Sequence, residues 1–421
     1  MIFWSIAGTW GFWLLGALYL VAPVLGWSLL ALGLWRLSGD DGERSIASRP
    51  FPIGVLVWTL AMGFMLVALV VAHLDYNLGM PQLIKSSMGW AKGWALMAVF
   101  PLVGAMFTIR PRIIYRASCI LGLQTLCLAP LLVLAMLVGV PGKLYVSPLM
   151  MVGGPGPEFF DVELYSYDAS TGNPRWRFFA PWAPAAAFVA SIYFVFALAE
   201  GHRVLKGVGL FATAVMCVLS QSRLGLLTMP AVAILTLGLS NLTRPKVLAI
   251  GAIAMVCSIF VLEPVLVAVE DAAQRIAEAR AASTRVRATL GSIAVHRWVT
   301  EAPIFGHGVV ERGPHLVEYM PIGSHHSWYG LLFVKGAVGF AALALPLAWT
   351  IVELIFKAQA SRTARTALGV ALVLLSYSFG ENLEILSYLF WPGLIVIGIA
   401  MRRPLKSPFR VFTRSGVPRP A

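Results

Sequence analysis

Five of the seven histidines, His296, His307, His315, His325 and His326, fall between positions 296 and 326. The stretch ends on Gly323-Ser324-His325-His326-Ser327-Trp328-Tyr329-Gly330, and it contains Pro303-Ile304-Phe305-Gly306-His307-Gly308. Arg285 and Arg287 stand shortly upstream, and Arg223 stands alone between two apolar runs in Ser220-Gln221-Ser222-Arg223-Leu224-Gly225. Imidazole titrates near neutrality and can take a proton from a hydroxyl. Guanidinium groups hold anions through paired, charge-assisted hydrogen bonds. Together these residues suit proton transfer beside a bound anion. Each also has a plainer reading: a histidine at a helix start caps it, Arg223 snorkels at an interface, and helix arginines pair with Asp271, Glu278 or Glu301.

The elements that must position them are membrane helices. The chain has 421 residues, 59% hydrophobic and 12% charged, whereas a soluble domain carries roughly 25% charged residues. Successive apolar runs of bilayer-spanning length predict an all-α, polytopic transmembrane bundle. Spans are expected near 52–74, 90–108, 117–140, 181–199, 206–220, 224–241, 246–264, 327–356, 367–380 and 384–401. Residues 1–36 form one long helix or, preferably, two broken near Pro23, which makes eleven or twelve spans. The four cysteines, Cys119, Cys127, Cys217 and Cys257, lie in apolar runs without CxxC spacing, so neither a disulfide framework nor a zinc site is expected. No basic segment precedes the first apolar run, which reads as a retained helix and not a cleaved signal.

The formal charge of +13 belongs to topology and not to nucleic acid, since Lys and Arg gather in short loops at 109–116, 200–206, 242–246 and 357–366 and in the tail after 401. The positive-inside rule puts those loops in the cytoplasm. Segments 75–89, 141–180, 220–223, 265–326 and 380–384 then face outward, and Arg223 is on the side where an ordinary anchor is not expected. Four parts follow: a bundle over 1–264 with the outer loop 141–180, a large outer loop over 265–326, helices over 327–401, and a basic tail over 402–421. Within the large loop, good helix formers run from Ala268 to about Val299. Loop 141–180 is rich in turn residues and carries Glu158, Asp161, Glu163 and Asp168, which either solvate it or meet sugar hydroxyls. Glu381 and Glu384 either enter an outer cavity or hydrate a turn, and Lys335 either snorkels or attracts an anion.

His325, nine residues from Ser327 to Lys335, and then Gly336-Ala337-Val338-Gly339 resemble the signature of the O-antigen ligase and O-antigen polymerase superfamily. His326 occupies a position where that family usually has Asn, Ser or Gln; counting from His326 restores a serine but leaves only eight intervening residues, so it stands as the alternative. Arg287 precedes Pro303-Ile304-Phe305-Gly306-His307-Gly308 by sixteen residues, as a family arginine does, and Ser222-Arg223-Leu224-Gly225 resembles its Ser-Arg turn. The matches cover about 206–345 in order.

The resemblance implies a GT-C-like glycosyltransferase of the bacterial inner membrane with its site on the periplasmic face. It would move a glycan from undecaprenyl diphosphate to an acceptor hydroxyl, on lipid A–core for a ligase or on another lipid-linked glycan for a polymerase. Arg223 and Arg287 (alternatively Arg285) would hold the diphosphate, and His325 (alternatively His326) would act as base for an inverting transfer. Ser222, Pro303, Gly306, Gly308, Gly336 and Gly339 would be structural motif positions. No metal or other cofactor is implied, and membrane lipids are the remaining partners. The rival from another class is a transporter or flippase for lipid-linked glycans. That reading calls for charges within several helices and pseudo-symmetric halves, whereas the polar groups here, apart from Lys335, gather at one surface.

Overall fold

The computed structural model describes residues 1–38, 51–168, 172–253, 255–256, 281–323 and 326–402, with the side chains of 281–284 left aside. The architecture is all-α. In chain order the helices are α1 (Ile2–Ala7), α2 (Thr9–Leu14), α3 (Leu18–Ser38), α4 (Ile53–Asp75), α5 (Met80–Lys92), α6 (Leu96–Met106), α7 (Pro111–Leu137), α8 (Ala183–Ala199), α9 (Arg203–Leu219) and α10 (Arg223–Leu239). Residues 245–253 are helical as well. Then come α11 (Ala281–Glu301), α12 (Ser327–Ala358), α13 (Arg362–Ser378) and α14 (Leu383–Arg402).

Among the described residues, five helices (α3, α4, α7, α12 and α14) are each long and apolar enough to cross a bilayer. At about 1.5 Å per residue, the 17-residue helices α8, α9, α10 and α13 reach roughly 26 Å, close to the thickness of a hydrocarbon core. Burial sorts them into layers. Helices α8 and α14 are apolar on every side and buried on nearly every side, which marks the centre of the bundle. Helix α7 turns Leu123, Leu131, Leu134 and Leu137 outward, a row of side chains suited to lipid. Buried polar groups tie helices across the bundle: Trp58 Nε1 donates to Thr350 Oγ1 (2.8 Å) and Trp10 Nε1 to Thr125 Oγ1 (3.1 Å).

Two expectations are corrected here. The N-terminal break is not at Pro23, which lies inside α3. A proline one turn into a helix removes a single bond at a point where the ladder has barely begun. The chain breaks instead at Gly8 and around Gly16. Gly16 has φ +61°, and a β-carbon there would meet the carbonyl oxygen of Phe160 at 2.6 Å. The span expected near 90–108 is also broken, because α5 runs from Met80 to Lys92 and α6 begins only at Leu96. Gly93, where a β-carbon would meet Glu384 Cγ at 2.7 Å, separates α5 from α6.

Loop 141–180 folds into two small antiparallel pairs, Lys143–Val146 with Asp161–Glu163 and Ser166–Tyr167 with Pro174–Arg175. Its acids are mostly spent internally. The buried Arg177 pairs with both Asp161 and Glu163 (2.7 Å to the latter), Lys143 pairs with Asp161 (3.0 Å), and Arg175 with Asp168 (3.0 Å). Asp161 and Asp168 therefore neither solvate the loop nor reach out to a ligand. Phe159 and Phe160 pack edge-on against Tyr19 of α3, and Phe159 also meets Tyr388 of α14, which presses the loop onto the bundle.

Candidate active site

The start of α10 is built around Ser222. Its side chain caps the helix, accepting from Gly225 N at 3.3 Å, as expected of an N-cap serine. Gln221 before it adopts φ +52°, and its side-chain amide donates to Pro174 O (2.8 Å), tying the turn to loop 141–180. Gly225 lets α10 approach closely: a β-carbon would stand 2.6 Å from Ala187 Cβ and 3.1 Å from the Tyr377 hydroxyl. Arg223 follows the cap directly and is exposed.

The turn between α13 and α14, residues 379–382, is the common neighbour of the candidate groups. A β-carbon on Gly380 would meet Leu224 Cδ2 at 2.8 Å, so the turn abuts the residue beside Arg223. Ser327, the first residue of α12, donates to Glu381 O (2.7 Å) and accepts from Leu383 N (3.0 Å). Phe379 meets the His326 ring edge-on at 5.9 Å. The Glu381 side chain is buried, accepts from Trp182 Nε1 at 2.9 Å, and feels the charge of Arg287. Burial lifts this carboxyl to about 7, against the opposing pull of the tryptophan and the arginine. Glu381 thus enters the protein and does not hydrate a turn.

His326 caps α12: its Nδ1 accepts from Tyr329 N at 3.3 Å, and its ring stacks on Tyr329 at 4.0 Å. Burial lowers its pKa. With Nδ1 engaged as an acceptor, the neutral ring carries its proton on Nε2. Ser324 and His325, which include the preferred base, lie outside the described residues. Their neighbours are in place, since a β-carbon on Gly323 would meet Gly330 N at 2.8 Å.

Helix α11 brings in the second arginine. Val286, Leu290 and Ala294 are its buried stripe, packed with Val317, Ile322 and Phe333. A β-carbon on Gly291 would strike the Tyr329 ring at 2.7 Å, so α11 rests on the ring that stacks with His326. Arg287 lies one turn from Gly291 on that face. Arg285 aligns with the exposed Ala288 and Ser292 instead. The structure thus brings Ser222–Arg223, Arg287, His326 and the 379–382 turn into one neighbourhood and leaves Arg285 turned away.

The glycine motifs have a shared structural reason. Helix α12 kinks at Gly336 (φ +61°, ψ −159°), which would strand backbone groups on both sides. The string 303–308 docks into the kink and supplies their partners. His307 N and Gly308 N donate to Phe333 O (2.9 Å) and Val334 O (3.0 Å), while Ala337 N and Val338 N donate to Pro303 O (2.9 Å) and Ile304 O (3.1 Å). Gly306 and Gly336 meet backbone to backbone: a β-carbon on Gly306 would stand 2.5 Å from Gly336 N, and one on Gly336 would stand 2.7 Å from Gly306 N. Gly339 leaves room for the buried side chain of Lys335. Gly308 sits against His73 and Ala72 near the end of α4.

A charged clasp holds this joint shut. His307 is buried and stacked on Phe333 at 4.3 Å, with Nδ1 2.9 Å from Phe333 O and Nε2 2.8 Å from Glu301 Oε2. Arg297 bonds Glu301 and Glu311 and lies over the Phe333 ring at 5.0 Å. Arg297 and then His307, by hydrogen bonding, push the Glu301 carboxyl down to about 2. His307 and Arg297 are therefore braces. Among the described residues, no group of three or more His, Cys, Asp or Glu stands together as a metal site.

Residues 208–344 match the family model described as O-antigen ligase. Over that stretch the chain is similar to the O-antigen ligase/polymerase superfamily. The matched part contains Arg223, Arg287, the 303–308 string, His325 and the Gly336–Gly339 pair, whereas the 379–382 turn lies beyond it. No curated protein matches the chain significantly. The similarity accords with a multi-pass membrane chain.

Sequence reasoning left Glu381 between two roles and assigned none to Trp182 or Tyr329. One signal was present for the first: an acid in a short turn between two apolar helices is costly unless it is used.

Proposed function

We propose that this protein transfers a glycan from a polyprenyl diphosphate, undecaprenyl diphosphate in a bacterial inner membrane, to a sugar hydroxyl at the periplasmic face. The acceptor is lipid A–core or a second lipid-linked glycan. Arg223 and Arg287 grip the diphosphate and stabilise the charge that grows on it as it leaves. His325 takes the proton of the acceptor hydroxyl. The acceptor oxygen forms its bond to the anomeric carbon from the face opposite the diphosphate, the bond from that carbon to the phosphate oxygen breaks, and the lipid diphosphate departs with the electron pair. One displacement inverts the anomeric centre.

The observation that carries this reading is the turn at 379–382, which touches the capped starts of α10 and α12 and holds Glu381 within the field of Arg287. His326, occupied as a cap, has no free lone pair when neutral, which favours His325 as the base. The test is transfer by purified protein in detergent from a lipid-diphosphate-linked glycan, with EDTA present. Transfer by the wild type that collapses in His325→Ala, with donor binding kept, supports the reading. Full activity in that variant refutes the assigned base. Failure to transfer to any acceptor, with glycan-lipid flux in liposomes, favours a flippase.

A further inference from the structure

The 379–382 turn carries a second consequence, which rests on the donor-site reading above. We propose that Glu381 is the exchangeable counter-ion of the diphosphate site: its carboxylate balances Arg287 while the site is empty and takes up a proton from solvent when an anionic diphosphate binds.

The geometry supplies the reasons. The Glu381 residue is 2% exposed, so its carboxylate cannot turn to water for solvation. Its position is fixed on every side: the main-chain N donates to Tyr377 O (2.8 Å), the carbonyl accepts from Ser327 Oγ (2.7 Å), and the carboxyl accepts from Trp182 Nε1 (2.9 Å). The surrounding charged and titratable groups are Arg287 from α11, Arg223 at the start of α10, His326 beside α12, Tyr377 at the end of α13, and Glu384 with Lys335 one step along. Arg287 is itself exposed, and its charge acts on the buried carboxylate.

A diphosphate diester arriving there competes for the same cation. Two anions then share one arginine, and the buried carboxylate is the only one of the two that can be neutralised by a proton near pH 7. This carboxyl already lies at about 7 before any ligand binds, so a modest further push neutralises it. Binding that takes up a proton weakens as the pH rises. The same chemistry makes the site sense charge: it releases Arg287 from its internal partner only for an anion.

The experiment is equilibrium binding of a short-chain prenyl-diphosphate-linked monosaccharide, whose diphosphate is a diester with no proton to lose near neutrality, to the full chain in detergent between pH 6 and 8.5. The His325→Ala background removes turnover and the second imidazole from the balance. Affinity should fall with rising pH, approaching about tenfold per unit above pH 7, and Glu381→Gln, which keeps the acceptor for Trp182, should flatten the profile. Trp182→Phe removes the bond that favours the carboxylate and should shift the midpoint of the profile upward. An unchanged slope in Glu381→Gln, or an unmoved midpoint in Trp182→Phe, overturns the counter-ion alone. Absence of binding at every pH overturns the donor-site reading and this inference with it.

Discussion

At the scale of single residues, neighbouring side chains of the same type hold different posts. His325 and His326 adjoin in sequence, yet only His326 is the cap of α12, with its lone pair on Tyr329 N. Loss of a positioned base costs a transferase roughly 10²–10⁴-fold, and His325→Ala should fall in that range. His326→Ala should instead lower thermal stability by about 1 kcal/mol, as loss of a cap does, with activity retained to within about tenfold of wild type. The arginines divide similarly. Arg287→Gln should reduce kcat/KM roughly ten- to hundredfold, the worth of one or two charge-assisted bonds, while Arg285→Gln, on the exposed side of α11, should leave it nearly unchanged. Steady-state kinetics on the four variants decides both contrasts. The order of motif residues along the chain was enough to nominate Arg287 and His325. Which arginine faces inward was not legible, because it depends on where Gly291 meets Tyr329, and a contact between α11 and α12 leaves no mark in either helix alone.

At the scale of elements, the joint between 303–308 and the α12 kink explains why two glycine motifs thirty residues apart belong together. Each supplies what the other lacks: the kink strands two carbonyls and two amides, and the docked string meets all four. A side chain at either contact forces two backbones apart. Gly306→Ala and Gly336→Ala, both at positive φ with backbone atoms in the way, should each cost about 2–4 kcal/mol from strain and overpacking. Gly63→Ala, in α4 with open space around it, should be neutral or stabilising by up to ~1 kcal/mol. Thermal unfolding in detergent measures the contrast, and equal losses at Gly63 and Gly336 would show that the joint contributes nothing special. The sequence exposed the strings but not their exchange of hydrogen bonds. Helix periodicity likewise ran unbroken through Gly336, because hydropathy does not register a φ of +61°. Gly16 and Gly93 escaped notice for the same reason: the surfaces that forbid a β-carbon there come from distant parts of the chain.

At the scale of the whole molecule, hydropathy located most of the helices to within a few residues, because burial in lipid and burial in protein select the same apolar side chains. It could not rank them, and the inner position of α8 and α14 follows from packing. Orientation rests on a different physical term, the excess of Lys and Arg in alternate loops. That term makes a prediction about the molecule as a whole. If the basic loops are cytoplasmic, loop 141–180, the α5 segment, α11 and the 379–382 turn all share the outer face, as their mutual contacts demand: Lys92 Nζ donates to Gly153 O (2.9 Å) and Gln221 Nε2 to Pro174 O (2.8 Å). Met151, 91% exposed in loop 141–180, and Arg112 at the start of α7 then lie on opposite sides. In a cysteine-free background, Met151→Cys should react with a membrane-impermeant maleimide added to spheroplasts, and Arg112→Cys should react only after permeabilisation. The reverse pattern would turn the molecule over and move the arginine cluster to the cytoplasm, where no periplasmic acceptor could reach it.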